Sequence, residues 1–333
     1  MNQGLAASPN RRGMPALTLA SLLLAAGLAC GPSDNGTEAA SDTTVSTSGS
    51  DASIQASPRI NPMIELHEMG LPVFGISHPP LTAGRDGGEA PELSAVVDET
   101  VAYTQADFTY GGAVTPRVLE FMDALGEAGA SSTSHPFIAK TLILHSQRDE
   151  ALARIHSQLD AGHVGIMTEE VESAQEIRDA VAAMRFESAG GLRPDGDVSR
   201  AAAWWGVTAD EYREKADVWP LNPAGELILW AIVESREGIA NIREIAAEPG
   251  LGVLWAGWGS LGGVYRDDPE GRQAAADAIL AACREFDVPC GFPAFSPEDV
   301  DRLMDEGWSV FVMQGWNEAS RETIEAGRRI SGR

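Results

Sequence analysis

Leu227-Ile228-Leu229-Trp230-Ala231-Ile232-Val233 is an unbroken apolar run that ends in a single carboxylate, Glu234, before Ser235-Arg236-Glu237-Gly238 opens a helix. A strand that is apolar on both sides must be covered on both faces, as in a parallel sheet flanked by helices. Seven more apolar segments read as strands: Val73–Ser77, Asp107–Tyr110, Thr141–His145, Val164–Thr168, Val253–Trp258, Cys290–Phe295 and Val310–Gln314. Helix signals lie between them. Ser173 and Glu176 have the spacing of a capping box, Ser296-Pro297-Glu298 supplies a cap, a first-turn proline and an acid, and Gly307 stops that helix. Eight strands alternating with helices predict an α/β fold, a (β/α)8 TIM barrel. An open doubly wound sheet is the runner-up. No Gly-x-Gly-x-x-Gly follows an early strand, which weighs against a dinucleotide cofactor.

The barrel domain is expected over residues 58–333, a length typical of this fold at roughly 250 residues. Residues 1–30 have the form of a secretory signal: Arg11 and Arg12, an apolar stretch from Leu17 to Leu28, then Ala29-Cys30. Cys30 after Gly27-Leu28-Ala29 resembles a lipobox, in which the cysteine is lipidated; ordinary cleavage nearby is the alternative. Residues 31–57 are rich in Ser, Thr, Asp and Gly and suit a disordered tether. The chain is thus expected to be exported and lipid-anchored, facing the periplasm or the exterior, and to meet the membrane through that anchor only. A formal net charge of −25 argues against nucleic acid and against anionic lipid surfaces. Cys283 and Cys290 are free to pair in an exported protein, but two small buried residues are the favoured reading.

A carboxylate at the C-terminal end of a barrel strand stands where such barrels build active sites, and Glu234 is the first candidate. The bland alternative is a solvated acid in the first turn of a helix.

Several segments together resemble the HpcH/HpaI aldolase/citrate lyase family. Asn61-Pro62-Met63-Ile64-Glu65-Leu66 with Gly70-Leu71-Pro72-Val73-Phe74-Gly75 is similar to its opening helix and first strand. Leu159-Asp160-Ala161-Gly162 with Val164-Gly165-Ile166-Met167, and Val233-Glu234-Ser235-Arg236-Glu237-Gly238, follow in the family's order. Gly257-Trp258-Gly259-Ser260-Leu261 stands where Gly-Pro-Ala-Asp-Leu is expected. The resemblance implies a TIM barrel of the phosphoenolpyruvate/pyruvate-domain type, usually a homo-oligomer. It also implies a carbon–carbon lyase that joins or cleaves a small 2-oxo acid, pyruvate-like, and an aldehyde. A divalent metal, Mg²⁺ or Mn²⁺, serves there as Lewis acid on one Glu and one Asp, beside an Arg and a His.

By that resemblance Glu234 is the metal-binding Glu, while the Asp falls on Ser260. Asp107-Phe108-Thr109-Tyr110-Gly111 replaces an Asp-x-Glu-His-Gly motif, and the third strand, taken as Leu142-Ile143-Leu144-His145, lacks its terminal Arg. A rebuilt site is expected to draw on His145, on Glu169 or Glu170, and on Glu234, with His145 and His78 as acid–base groups and Glu234 and Glu169 as metal ligands. Gly257, Trp258, Gly259 and Ser260 are expected to bind substrate. The alternative function is a catalytically degenerate barrel lipoprotein that binds a small ligand or a protein at the old mouth.

Overall fold

The computed structural model describes residues 59–82 and 89–333. The signal, the tether and Cys30 lie outside the described residues. Strands β1 (Val73–Ser77), β2 (Phe108–Gly111), β3 (Phe137–Lys140), β4 (Gly165–Thr168), β5 (Val218–Trp219), β6 (Leu227–Val233), β7 (Leu251–Ala256), β8 (Cys290–Pro293) and β9 (Val310–Met313) form one parallel sheet. The sheet closes on itself. Gly165 pairs with Ile228 across β4 and β6, and Val73 pairs with Val310 across β1 and β9. β5 is a two-residue addition to the start of β6, so eight strands make the barrel.

Every residue of β6 is buried, as the apolar run demands. The barrel interior is filled by aromatic rings. Trp230 stacks on Trp255 at 5.8 Å between centroids and meets Phe108 edge-on at 5.1 Å. Glycine makes room for them. A Cβ on Gly75 would lie 2.0 Å from the Phe108 ring, and one on Gly291 would lie 2.2 Å from the Trp255 ring. Large side chains opposite absent ones satisfy close packing within a narrow barrel.

The helices start and stop where their caps direct. Both halves of the Ser173–Glu176 capping box form ahead of helix Ala174–Met184, and Gly307 closes helix Pro297–Glu306 at φ 101°.

Three expectations need correction. The third strand is Phe137–Lys140; Thr141–His145, taken from the sequence as that strand, forms the turn before helix Arg148–Asp160. Two apolar runs lie side by side there, and the register with β2 (Thr109 opposite Phe137) selects the earlier one. Trp258 does not end a strand: β7 stops at Ala256, and Trp258 opens helix Trp258–Val264. Cys283 and Cys290 are disulfide-bonded, with Cα atoms 5.7 Å apart, joining helix Pro269–Phe286 to β8. Both cysteines are buried, so the reading of two small buried residues had the burial right and the chemistry wrong.

A long insertion between β4 and β6, Gly190 to Pro223, packs at the N-terminal end of the barrel. Trp205 Nε1 donates to the Gly162 carbonyl at 2.9 Å, and the Tyr212 hydroxyl donates to that of Leu159 at 3.0 Å, both just ahead of β4. Arg193 is wholly buried there, 4.2 Å above the Phe186 ring and paired with Asp160 at 2.8 Å.

Candidate active site at the barrel mouth

The strand ends place a small set of polar groups around a cavity of about 130 Å³ at the C-terminal mouth. β2 delivers Tyr110, β3 delivers Lys140, and the residue after β6 is Glu234. Met167, Ile232, Trp255 and Val312 supply apolar wall, and Gly257, Trp258, Gly259 and Ser260 border the cavity together. Gly257 is required by Glu234 itself, because a Cβ there would lie 2.3 Å from the Glu234 Cβ. Trp258 leans on Phe292 at 5.2 Å, and the Arg272 guanidinium covers its ring at 3.5 Å.

The mouth perturbs its titratable groups. Burial pushes the Glu234 carboxyl above its ordinary range; a hydrogen bond with Ser260 and the positive charge of Lys140 oppose that shift, and the Glu169 charge adds to it. Burial likewise raises the Tyr110 hydroxyl, with Lys140 working in the other direction. Lys140 Nζ donates to Glu169 Oε1 at 2.9 Å, with both side chains about one-third exposed (37% and 34%). Thus Glu169 and Glu234, both taken from the sequence as metal ligands, flank a lysine ammonium.

The remaining predicted residues lie elsewhere. His145 follows β3 by a turn and does not line the cavity. Its Nδ1 is 3.3 Å from Glu176 Oε2 and its Nε2 is 3.9 Å from Glu172 Oε2. His145, Glu170 and Glu172 present ligand atoms within 4.8 Å of one another, a set suited to a divalent cation. The expected convergence on His145 therefore takes in Glu170 and the unanticipated Glu172, while Glu234 stands apart in the cavity. His78 Nδ1 lies 2.7 Å from the Pro79 carbonyl, and its ring fills the space where a Cβ on Gly111 would sit, without lining the cavity.

The metal implied by the resemblance would sit between Glu234 and residue 260. The side chains do not fit it. Among the described residues Glu234 is the one carboxylate lining the cavity, Ser260 offers it a neutral hydroxyl, and the Lys140 cation acts on it while holding the neighbouring Glu169 at 2.9 Å. Lys140 was missed from the sequence because the wrong apolar run was taken as β3. The signal was present: Phe137-Ile138-Ala139 ends in a cation. The third strand therefore does close on a positive side chain, a lysine where the resemblance calls for an arginine.

Comparison with known proteins agrees with this architecture. The chain is 30% identical over 158 residues to the 2-dehydro-3,6-dideoxy-6-sulfogluconate aldolase of Pseudomonas putida, covering 45% of this chain and 57% of that protein. It is 30% identical over 176 residues to a hydroxypyruvate/pyruvate aldolase of Delftia acidovorans, covering 52% of this chain and 61% of that one. The chain thus spans about three-fifths of the length of the curated relatives it matches. The crystal structure of an HpcH/HpaI aldolase/citrate lyase family protein from Burkholderia cenocepacia superposes with a TM-score of 0.61 at 19% identity, over 81% of this chain and 97% of that one, a likeness of fold. The HpcH/HpaI aldolase/citrate lyase profile matches residues 138–313, from β3 to the end of β9 and over half of the chain. The chain belongs to the HpcH/HpaI aldolase/citrate lyase family.

Proposed function

We propose that the protein is a carbon–carbon lyase that cleaves or forms the bond between a small 2-oxo acid and an aldehyde. The observation that carries this reading is the placement of Lys140, Tyr110 and Glu234 around one small cavity at the C-terminal mouth. Breaking the C3–C4 bond of a 4-hydroxy-2-oxo acid leaves an electron pair on C3 that must be drawn into the C2 carbonyl, and a fixed positive charge there lowers the barrier. Lys140 supplies that charge. Glu234, which burial makes a stronger proton holder than an ordinary glutamate, and the Tyr110 hydroxyl are placed to move the proton between the aldehyde oxygen and the cavity. A cavity of about 130 Å³ suits a short acid. The aldolase names of the curated relatives point the same way.

A divalent cation, Mg²⁺ or Mn²⁺, would be held here by His145, Glu170 and Glu172, outside the cavity lining, and no step of this scheme passes through it. Incubating the protein with pyruvate and a panel of short aldehydes, and following the 4-hydroxy-2-oxo acid by NMR, tests the proposal; no product from any aldehyde contradicts it. The second reading, a barrel that binds such an acid without turning it over, is favoured by the neutral Ser260 at the metal-ligand position. Saturable pyruvate binding without product would select it.

Export and lipid anchoring at Cys30 belong to the same proposal. The leader supports them, and so does the Cys283–Cys290 disulfide, a bond that persists in oxidising compartments. Palmitate labelling that survives Cys30→Ala would refute the anchor.

A further inference from the structure

From the side chains that line the mouth, we infer that Lys140 is a nucleophile, and that this barrel activates its 2-oxo acid as a covalent imine on Lys140 Nζ. The inference deepens the aldol reading above and rests on it.

Two functional changes coincide in one cavity. Among the described residues the lining retains a single carboxylate, Glu234, beside which Ser260 offers no second anionic ligand, and the other carboxylate near it, Glu169, is held by Lys140 Nζ at 2.9 Å. A hard divalent cation takes several oxygen ligands and is poorly held by one carboxylate beside an ammonium group. The same cavity contains a primary amine at the end of β3. An arginine there is confined to electrostatic work, since a guanidinium does not give up its proton in a protein. A lysine amine does, and it adds to carbonyl carbons.

The composition sharpens the point. Of the 24 Lys and Arg residues, two are lysines, Lys140 and Lys215, and the other 22 are arginines. Lys215 ends helix Ala209–Lys215 in the insertion, away from the cavity lining. In a chain built almost wholly with arginine for its positive charge, the mouth holds one of two lysine amines.

The chemistry balances without an oxidant or a metal. The free amine adds to C2 of a 4-hydroxy-2-oxo acid, the C2 oxygen takes a proton in addition to the one it receives from the amine, and loss of one water leaves the iminium. The C4 hydroxyl gives up its proton, the C3–C4 bond breaks, and its electron pair moves into the enamine as the aldehyde departs. C3 then takes a proton, and water adds to C2 to release pyruvate and restore the amine. The water lost on imine formation is regained on hydrolysis. Glu234 and Tyr110, on the same cavity, are the groups positioned to exchange these protons.

The test is reductive trapping of the purified protein with pyruvate and sodium cyanoborohydride, followed by mass spectrometry of the peptides bearing the two lysines. Hydride reduction of the imine leaves a stable 1-carboxyethyl group on the nitrogen. The expected result is one carboxyethyl group on Lys140, none on Lys215, and none in Lys140→Arg. Lys140→Arg also separates the covalent role from an electrostatic one, because it keeps the charge and loses the nucleophile. Expected with it is a loss of pyruvate-forming activity while the circular dichroism spectrum is unchanged. Aldol activity that survives in Lys140→Arg, is abolished by EDTA and leaves no adduct in the parent protein would overturn the imine and leave the aldol reading standing. No adduct and no aldol activity would overturn both. An equal adduct on Lys215 would mark the labelling as non-specific and overturn the assignment.

Discussion

Strand β6 has a glutamate at each end, and the two meet opposite surroundings. Glu226 directly precedes the strand at the N-terminal end of the barrel, 2% exposed. It accepts the Asn61 backbone N–H at 3.0 Å and lies 3.6 Å from the Arg59 guanidinium, whose other nitrogens are held by Glu68 and the Pro223 carbonyl. Glu234 directly follows the strand at the mouth, with a hydroxyl, an amine and another carboxylate for neighbours around open space. Burial raises the carboxyl of both. The same push has two uses. At one end the partners are fixed parts of the fold and the charge is structural. At the other they face a cavity and stay available for chemistry, as expected of the two ends of such a barrel.

The two ends of the barrel should differ most at Lys140. Lys140→Met is expected to lower turnover on the order of 10³-fold or more while leaving the urea midpoint in place. A comparable fall in stability would make the mouth as structural as the other end. Glu234→Gln is expected to cost about 10²-fold in turnover. Its stability should depend on pH in a set direction. The folded carboxyl is raised above its unfolded value, so it favours the fold below the ordinary Glu range near ~4.3, and that contribution is lost as pH rises through the folded value. Wild type and variant should therefore melt together in acid, and the variant should melt higher at neutral pH. Thermal scans across that range check the sign.

Glu226→Ala should show the reverse pattern, with turnover retained and about 1–3 kcal/mol of stability lost because Asn61 N–H and Arg59 lose their acceptor. Reducing the Cys283–Cys290 bond, which closes a short loop, should cost about 2 kcal/mol in denaturant titrations and leave the mouth unaffected.

The sequence made the barrel legible because strand burial on both faces leaves an unmistakable apolar run, as in Leu227–Val233, and because caps such as Ser173 with Glu176 mark helix starts. It failed at β3, where Phe137–Ala139 and Leu142–Leu144 are both apolar and only pairing with β2 decides between them. That single slip hid Lys140 and put His145 at a strand end. Glu234 was legible, since its position follows from the strand alone. The sorting of Glu169 to Lys140 and of Glu170 and Glu172 to His145 was not, because neighbouring residues in a loop diverge by backbone geometry, here φ 48° at Glu170. The disulfide was legible only as two cysteines free to pair in an exported chain, with two small buried residues as the favoured reading.

In the proposed reaction the mouth around Lys140 and Glu234 activates the carbon next to a 2-oxo group. Deuterium exchange into the methyl group of pyruvate reads that step directly, whatever the aldehyde partner. The protein in heavy water should remove the methyl proton signal at a rate well above the buffer's, and Lys140→Met and Glu234→Gln should not. Exchange at the buffer rate with the folded wild-type protein, or undiminished exchange in both variants, would contradict the claim.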